Sequence, residues 1–448
     1  MKRVIVIAAA VFVLMAAVAF ASGGTERSAT TSPAQTKLNV LYYIDPTQAG
    51  YAEDQAIWAK FEADNPDIKI EKEELFNEPF HDKVAAYIAA GTLPDVMYMW
   101  PSGRSTALHE KHLTKDLAPL LGKEFLSHFV PSAVDPNNQK AKYLAMLPQS
   151  VTYTSVMYTN KKMLTDNGLA LPTTYADLKA MVPKLRSKGV QTVLMANKST
   201  WVMQSCLFST IVGRLLGDGW VDSAVAGKAK FTDPEAVGAL RFVDSMYKDG
   251  VISPDTIQLE YGEGPDLFAQ NKAAFLIDGD WRQGYFVTDK STGKALIPPD
   301  QQASDYAFLN FPQIPGEKNP GITSAVVGVG FGISSQIPAG SAKEKAAVRW
   351  MQYYYSPEVM QIKLEVGSFI PSRKNVTSDK VDPFTAMMPK FYSTINKTSY
   401  VLDGALAIDV YTPLNNVLQE IGLGTKTPDQ AAAEVQKALD DWRAKQSS

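Results

Sequence analysis

The sequence predicts an α/β protein built from two lobes. The chain has 448 residues, and a chain of this length is too long for a single hydrophobic core. Its first part alternates strand-like and helix-like segments in the order β-α-β-α-β, which is typical of a parallel sheet with right-handed crossovers. Capped helices dominate the later part of the chain, with a few buried strands between them.

The N-terminus has the pattern of an export signal. Lys2 and Arg3 precede an uncharged apolar run over 4–18, and small residues follow this run. We therefore predict a cleaved signal peptide over 1–21 and, because the next segment is rich in Ser, Thr, Gly and Ala, a flexible tether over 22–36. A membrane anchor is the alternative, although the apolar run is near the lower length limit for a span.

The only cysteine is Cys206, and no cysteine stands at the predicted cleavage point. A bacterial lipoprotein needs one there, so we expect a soluble periplasmic or extracellular protein without a lipid anchor. Cys206 lies beside leucine and phenylalanine, and we expect it to be a buried small hydrophobic residue rather than a reactive thiol.

The charge composition argues against a nucleic-acid partner. The chain has 44 Lys and Arg against 47 Asp and Glu, for a formal net charge of −3. A mildly acidic surface repels nucleic acids and anionic membranes. The four histidines are scattered, so no metal site is predicted, and no cofactor motif is present.

The first hundred residues after the tether alternate between strands and helices. Strands are predicted at 38–44, around Ile68 and Ile70, and at 96–100. One helix carries Ile57, Trp58 and Phe61 on one face. A second helix opens at Pro79 and closes at Gly91.

The later elements are mostly helices with clear start signals. Helices are predicted to start near Thr232, Ser356 and Thr427, the last with a capping box. Two apolar runs at 273–277 and 326–333 are predicted as buried strands. The glycines of the second run are expected to let the second lobe or the ligand approach closely.

Six stretches, taken in order, resemble the bacterial extracellular solute-binding proteins that include maltose-binding protein. They are AAGTLPDV at 89–96, LP at 147–148 with VMYTNK at 156–161, LPTTYADL at 171–178, AAFLIDGDW at 273–281, GSFIPSR at 367–373 and TPDQAAAEVQKAL at 427–439. Each motif is weak alone, but six in register cover nearly the whole chain after the signal. They do not specify the ligand.

The resemblance implies the two-lobed type II periplasmic-binding-protein fold. Each lobe would be a mostly parallel sheet flanked by helices, with hinge crossovers near Gln149, Gly279 and Gly328. The expected boundaries are 37–148 and 279–327 for the N-terminal lobe, and 149–278 and 328–448 for the C-terminal lobe. The ligand would lie in the cleft between the lobes.

The resemblance also implies a function. The chain would be a monomeric receptor of an ATP-binding-cassette (ABC) importer that binds a sugar or oligosaccharide and delivers it to a membrane permease. It would perform no chemistry. Closure of the hinge would trap the ligand.

A sugar site needs flat aromatic platforms and side chains that form hydrogen bonds at fixed places. Such residues occur just after predicted strands and at the crossovers. The candidates are Tyr43, Asp45, Asn77, Glu78, Trp100, Ser102, Gln149, Ser150, Tyr153, Trp201, Asp280, Trp281, Phe369 and Arg373.

Each candidate has a structural alternative. The tryptophans could pack in the core, and Asp280 could cap a helix. Arg373 could pair with a surface carboxylate, while Asp45 and Glu78 could be solvated turn residues.

Two other functional classes stay open. A secreted carbohydrate-active hydrolase would need a pair of carboxylates whose separation the sequence does not show. The pattern His109-Glu110-Lys111-His112 is one residue short of the zinc motif HExxH, and no GxSxG pattern surrounds any serine. A receptor for another solute, such as a polyol phosphate or a peptide, is the other alternative.

Overall fold

The computed structural model describes residues 35–101 and 103–446. The predicted signal peptide, residues 22–34 of the predicted tether over 22–36, and Ser102 lie outside the described residues. Thr36 pairs with Ile68 in a parallel ladder, so this residue belongs to the first strand and not to the predicted tether.

The strands are short, and all belong to three sheets. They are β1 Thr36–Tyr43, β2 Ile68–Leu75, β3 Val96–Met99, β4 Leu147–Pro148, β5 Val151–Tyr153, β6 Val156–Asn160, β7 Gln191–Leu194, β8 Ala273–Asp278, β9 Tyr306–Leu309, β10 Thr323–Val327, β11 Gly330–Ile333 and β12 Thr398–Ser399.

The helices cover most of the remaining described chain. They are α1 Tyr51–Asp64, α2 Glu78–Ala90, α3 Thr106–Glu110, α4 Leu117–Leu121, α5 Lys123–Leu126, α6 Pro131–Val134, α7 Lys161–Asp166, α8 Tyr175–Arg186, α9 Trp201–Met203, α10 Ser209–Leu215, α11 Asp218–Val225, α12 Pro234–Lys248, α13 Glu263–Ala269, α14 Pro299–Asp305, α15 Ala342–Tyr354, α16 Pro357–Glu365, α17 Pro383–Ser393, α18 Leu402–Ala405, α19 Ile408–Gly422 and α20 Pro428–Gln446. A π-helical turn, Gln204–Phe208, joins α9 to α10, and a 3₁₀ helix, Asp280–Tyr285, follows β8.

The first lobe is built on a sheet of order β2-β1-β3-β11-β4. Strand β1 pairs in parallel with β2 and β3, as the β-α-β-α-β pattern predicted. The apolar face of α1 packs on this sheet, where the indole rings of Trp58 and Trp350 stack with centroids 3.9 Å apart. Helices α15 and α16 complete the same core.

The second lobe is built on a sheet of order β7-β8-β6-β9. Only β7 and β8 pair in parallel, since β6 runs antiparallel to both β8 and β9. The prediction of a mostly parallel sheet in each lobe therefore does not hold here. The third sheet has the order β12-β10-β5, and its strands β5 and β10 lie next to the crossovers in the sequence.

The strand pairings place two segments in different lobes from those predicted. Strand β9 lies in 279–327, which was assigned to the N-terminal lobe, yet it pairs with β6 of the second lobe. Strand β11 and helices α15 and α16 lie in 328–448, which was assigned to the C-terminal lobe, yet they pack in the first. Strand β9 forms the edge of its sheet beside β6, whereas β11 lies between β3 and β4.

The crossovers are consequently only partly where the sequence placed them. Two run side by side, because the Gln149 amide donates to the Val329 carbonyl at 2.8 Å and the Gly328 amide donates to the Ser150 carbonyl at 2.9 Å. The crossover expected near Gly279 is wrong: β8 leads through the 3₁₀ helix toward β9 in the same lobe. The third passage between lobes is instead 366–382, between α16 and α17.

The apolar run at 326–333 is two strands rather than one. It divides between β10 of the second lobe and β11 of the first, at Gly328 and Val329. The glycines do allow a close approach, because a Cβ atom on Gly330 would lie 1.8 Å from the Leu147 carbonyl oxygen. The segment that approaches Gly330 is β4 of the same sheet, so the expectation that the second lobe or the ligand approaches is wrong at this residue.

Several local predictions are confirmed. Thr427 and Gln430 form the reciprocal capping box at the start of α20, and Ser356 caps α16. Gly91 ends α2 with a φ of +67°. The side chain of Cys206 is fully buried.

We predict that Gly330→Ala lowers the free energy of unfolding by about 3 kcal/mol, because its methyl group would overlap the neighbouring strand. The matched control is Gly238→Ala in α12, where a Cβ atom meets nothing within 4 Å. This control should be neutral or stabilising by up to about 1 kcal/mol. Urea denaturation of both variants measures the difference, and equal stabilities would contradict the close approach.

Candidate ligand-binding cleft

A cavity of about 220 Å³ lies between the two lobes. Both lobes contribute to its wall, and aromatic side chains dominate the lining. Ten of the fourteen candidate residues line it: Tyr43, Asp45, Asn77, Trp100, Gln149, Ser150, Trp201, Asp280, Trp281 and Phe369.

The first lobe supplies an aromatic wall from the carboxyl ends of β1 and β3. These parallel neighbours end at the same edge of the sheet, so Tyr43 and Trp100 meet there edge to face with centroids 5.3 Å apart. The ring of Tyr43 also stacks on Tyr98 at 5.9 Å. The ring centroid of His81 lies 4.7 Å from that of Trp100. Burial lowers the pKa of the His81 imidazole to about 2, so this side chain is neutral at physiological pH.

The second lobe supplies a facing wall of three rings. Trp281 donates its indole N–H to the hydroxyl oxygen of Tyr261 at 2.6 Å. The ring of Trp201 lies 4.9 Å from Tyr261 and 6.2 Å from Trp281. The hydrogen bond fixes the plane of the Trp281 ring, and this ring is therefore a pre-oriented apolar surface.

A buried ion pair supports this second wall from behind. The guanidinium of Arg282 donates to the carboxylate of Asp278 at 2.7 Å, and both side chains are almost completely buried. The same guanidinium lies 3.8 Å from the ring centroid of Tyr261 and 4.6 Å from that of Tyr285. Nearby Asp278 and the two tyrosines raise the pKa of Arg282, although burial opposes them. The guanidinium therefore stays charged and contacts both tyrosine rings.

Polar side chains join the two lobes across the cleft. Tyr285 donates its hydroxyl to Asp45 at 2.5 Å. The amide of Asn77 donates to Ser199 at 2.9 Å and accepts the indole N–H of Trp201 at 3.2 Å. Asn77 has a φ of +57° and a ψ of −143°, a backbone conformation that residues other than glycine rarely adopt.

Arg104 provides a charged link between the lobes. Its guanidinium donates to Glu78 of the first lobe at 3.0 Å and lies 4.0 Å from the carboxylate of Asp403 in the second. It also lies 5.7 Å from the ring centroid of Trp201. Burial raises the pKa of Asp403. With these contacts formed, the lobes are closed over the cavity in this structure.

Asp280 lines the cavity on the side of the second lobe. Its Oδ2 atom accepts the backbone N–H of Tyr153 at 2.9 Å and the hydroxyl of Tyr392 at 2.9 Å. Its side chain does not cap the 3₁₀ helix that it begins. Burial raises the pKa of this carboxyl to about 7, since neutral donors only partly offset the loss of water.

Three candidates lie outside the cavity lining, and Ser102 lies outside the described residues. Glu78 is half exposed and pairs with Arg104. The ring of Tyr153 stacks on Tyr392 at 4.5 Å. Arg373 donates to the carbonyl oxygen of Tyr355 at 3.1 Å, so it bonds backbone and not the surface carboxylate of the alternative reading.

Several lining residues were not found from the sequence. His81 and Tyr285 each lie four residues after a predicted site residue, Asn77 and Trp281, so this spacing is the sequence signal that points to them. Arg104, Tyr261 and Asp403 are widely separated in sequence, and only the folded chain brings them together.

The described residues contain neither a candidate metal cluster nor a helix that could span a membrane. Across 35–101 and 103–446, no three His, Cys, Asp or Glu side chains are grouped as a metal site would require. In the same part of the chain, no helix has both the length and the apolar character of a membrane span.

Known proteins share this architecture. The family model for bacterial extracellular solute-binding proteins matches residues 44–361. An uncharacterized ABC transporter extracellular-binding protein of Pyrococcus horikoshii is 22% identical over 435 residues, which cover 93% of this chain and 91% of that protein.

Solved structures agree with the fold. A chitin oligosaccharide binding protein superposes with a TM-score of 0.80 at 20% identity, covering 91% of this chain and 98% of the other. Maltose-bound MalE3 of T. maritima gives a TM-score of 0.72 at 20% identity, covering 91% and 99%. At these identities the likeness establishes the two-lobed fold and leaves the ligand open.

The raised pKa of Asp280 predicts a pH effect on stability. Between about pH 4 and pH 7 the folded protein holds a proton that the unfolded chain has released, so the free energy of unfolding falls as the pH rises. Asp280→Asn should remove up to about 4 kcal/mol of this decline. Urea denaturation of both proteins at pH 4, 5.5 and 7 measures it, and parallel profiles would contradict the assignment.

Proposed function

Because the chain belongs to the bacterial extracellular solute-binding protein family, we propose that it is the receptor of an ABC importer and binds a sugar between its lobes. The observation that carries this proposal is the closed cavity with a fixed aromatic ring on each side, Trp100 and Trp281, and polar groups between them. Sugars present apolar C–H faces and a rim of hydroxyls, so they need this combination.

Polar groups around the rings suit the hydroxyl rim of a sugar. The neutral His81 offers both a donor and an acceptor, and Gln149 and Ser150 lie at a crossover on the cavity floor. Asp45 and Asp280 can accept charge-assisted hydrogen bonds, which are roughly twice as strong as neutral ones.

The names of similar proteins support a sugar ligand. One solved neighbour is described as a chitin oligosaccharide binding protein and another as maltose-bound. The cavity of about 220 Å³ is smaller than the range of about 300–1,000 Å³ common for drug-sized ligands. We therefore favour a mono- or disaccharide over a long oligosaccharide.

Closure is the proposed mechanism. The contacts that Tyr285, Asn77 and Arg104 make across the cleft can form only when the lobes meet, and a ligand that touches both lobes favours that state. A differential affinity of about 10⁴, or about 5.5 kcal/mol, would move the population from almost all open to almost all closed. The closed form would then dock on a membrane permease, and a separate ATPase would supply the energy.

The remaining parts of the proposal concern location and chemistry. We propose a monomer, exported by a cleaved signal peptide and without a lipid anchor, that binds no nucleic acid. We also propose that it is not an enzyme. The family is one of binding proteins, and the three carboxylates that line the cavity all have partners. Asp45 and Asp280 accept hydrogen bonds from neighbouring residues, and Asp403 accepts one from Ser205 and lies 4.0 Å from Arg104.

A ligand screen tests the function. Purified protein is melted with mono- and disaccharides, polyol phosphates and short peptides, and each sugar that stabilises it is recovered and analysed by chromatography. A rise in melting temperature with an unchanged sugar supports the proposal. Cleaved sugar would indicate a hydrolase, and stabilisation by a phosphate ester or a peptide alone would indicate another kind of receptor.

We predict that Trp281→Ala weakens sugar binding by about 30- to 100-fold, because truncating a central aromatic anchor costs about 2 kcal/mol or more. The matched control is Trp442→Ala, which removes a partly buried indole in α20 outside the cavity lining. Calorimetric titration with the sugar found in the screen should give wild-type affinity for this control. Equal losses in both variants would contradict a platform role for Trp281.

A further inference from the structure

The cations that line the cavity have partners of opposite charge, whereas two of its carboxylates do not. Its two strong cations, Arg104 and Lys363, are each paired with carboxylates. Arg104 lies between Glu78 and Asp403, and Lys363 is buried against Asp54. A ligand anion would therefore find no cation that is free of a carboxylate partner among the described lining residues.

Two cavity carboxylates lack such a counterion. Asp45 accepts hydrogen bonds from the backbone and hydroxyl of Thr47 and from Tyr285. Asp280 accepts from the backbone of Tyr153 and from Tyr392. Every one of these donors is neutral, and over 35–101 and 103–446 neither carboxylate forms an ion pair. Burial raises the pKa of the Asp280 carboxyl, and its neutral donors only partly offset this rise.

The aromatic walls also favour a positively charged ligand. Among the described residues, a guanidinium already lies over the rings of Trp201, Tyr261 and Tyr285. No side-chain cation lies over Trp100 or Trp281, whose π faces attract positive charge. The cavity thus offers a cation two carboxylates without a cationic partner and two indole rings over which no side-chain cation of the described residues lies.

We propose that the site selects an amine-bearing, positively charged sugar over neutral and anionic sugars with the same ring. This inference rests on the proposed function, since it names the ligand class of the same cavity. The ammonium group would pair with Asp280 or Asp45 and lie against an indole face. A phosphorylated or carboxylated sugar would meet two carboxylates that have no cationic partner.

Matched sugar sets test the selection. Glucose, galactose and a β-1,4-linked glucose disaccharide are each compared with the 2-amino-2-deoxy form and with the uronate or 6-phosphate form, by calorimetry at pH 7 and low salt. The amine should bind at least about tenfold tighter than its neutral counterpart in any set that binds, because a charge-assisted bond replaces a neutral one. The advantage should shrink as salt is added.

Variants assign the effect to the carboxylates. Asp280→Asn should reduce the ratio of amine affinity to neutral-sugar affinity to about threefold or less. If Asp280→Asn folds poorly, the same affinity ratio is measured for Asp45→Asn. Asp441→Asn, on the exposed face of α20, is the matched control and should keep the wild-type ratio.

The outcomes separate the two proposals. Neutral sugars that bind as tightly as the amines, or anionic forms that bind better, would overturn the charge selection and leave sugar binding intact. A wild-type ratio in both Asp280→Asn and Asp45→Asn would overturn the assignment to these carboxylates. Absence of binding in every set would contradict the proposed function itself.

Discussion

Polar contacts between the lobes are the interaction on which the cavity depends. Tyr285 reaches Asp45, Asn77 reaches Ser199 and Trp201, and Arg104 lies between acids from both lobes. None of these pairs belongs to the core of either lobe. They set the distance between the two aromatic walls. The cavity therefore has this size only when the lobes are closed.

The walls themselves are fixed within each lobe by different means. In the first lobe, parallel strands bring Tyr43 and Trp100 to one sheet edge, so the backbone topology determines the contact. In the second lobe, the buried pair of Asp278 and Arg282 holds the rings of Tyr261 and Tyr285. Removing one partner of such a pair would leave an uncompensated buried charge, which costs several kcal/mol. Rigid walls of this kind reduce the entropy lost on binding.

Local sequence patterns predicted the strands and helices of the first lobe correctly. They did not predict which lobe each later segment joins. Residues 36–99 carry strong periodicity, and their strands and helices appeared as expected. The lobe boundaries failed at Gly279 and beyond, because β9 and β11 choose their sheets by long-range pairing that no local pattern records. At the site, residues just after strands were found, while Arg104, Tyr261 and Asp403 were missed because only tertiary folding brings them to the cleft.

Small-angle X-ray scattering of the protein with and without a saturating sugar tests the central claim, that two lobes close over the ligand. The free protein should sample an open cleft, and the sugar should reduce the radius of gyration toward the value calculated from the closed structure. Calorimetry on the same sample establishes that the sites are filled. An unchanged radius with filled sites would contradict closure and, with it, this account of how the cleft binds its ligand.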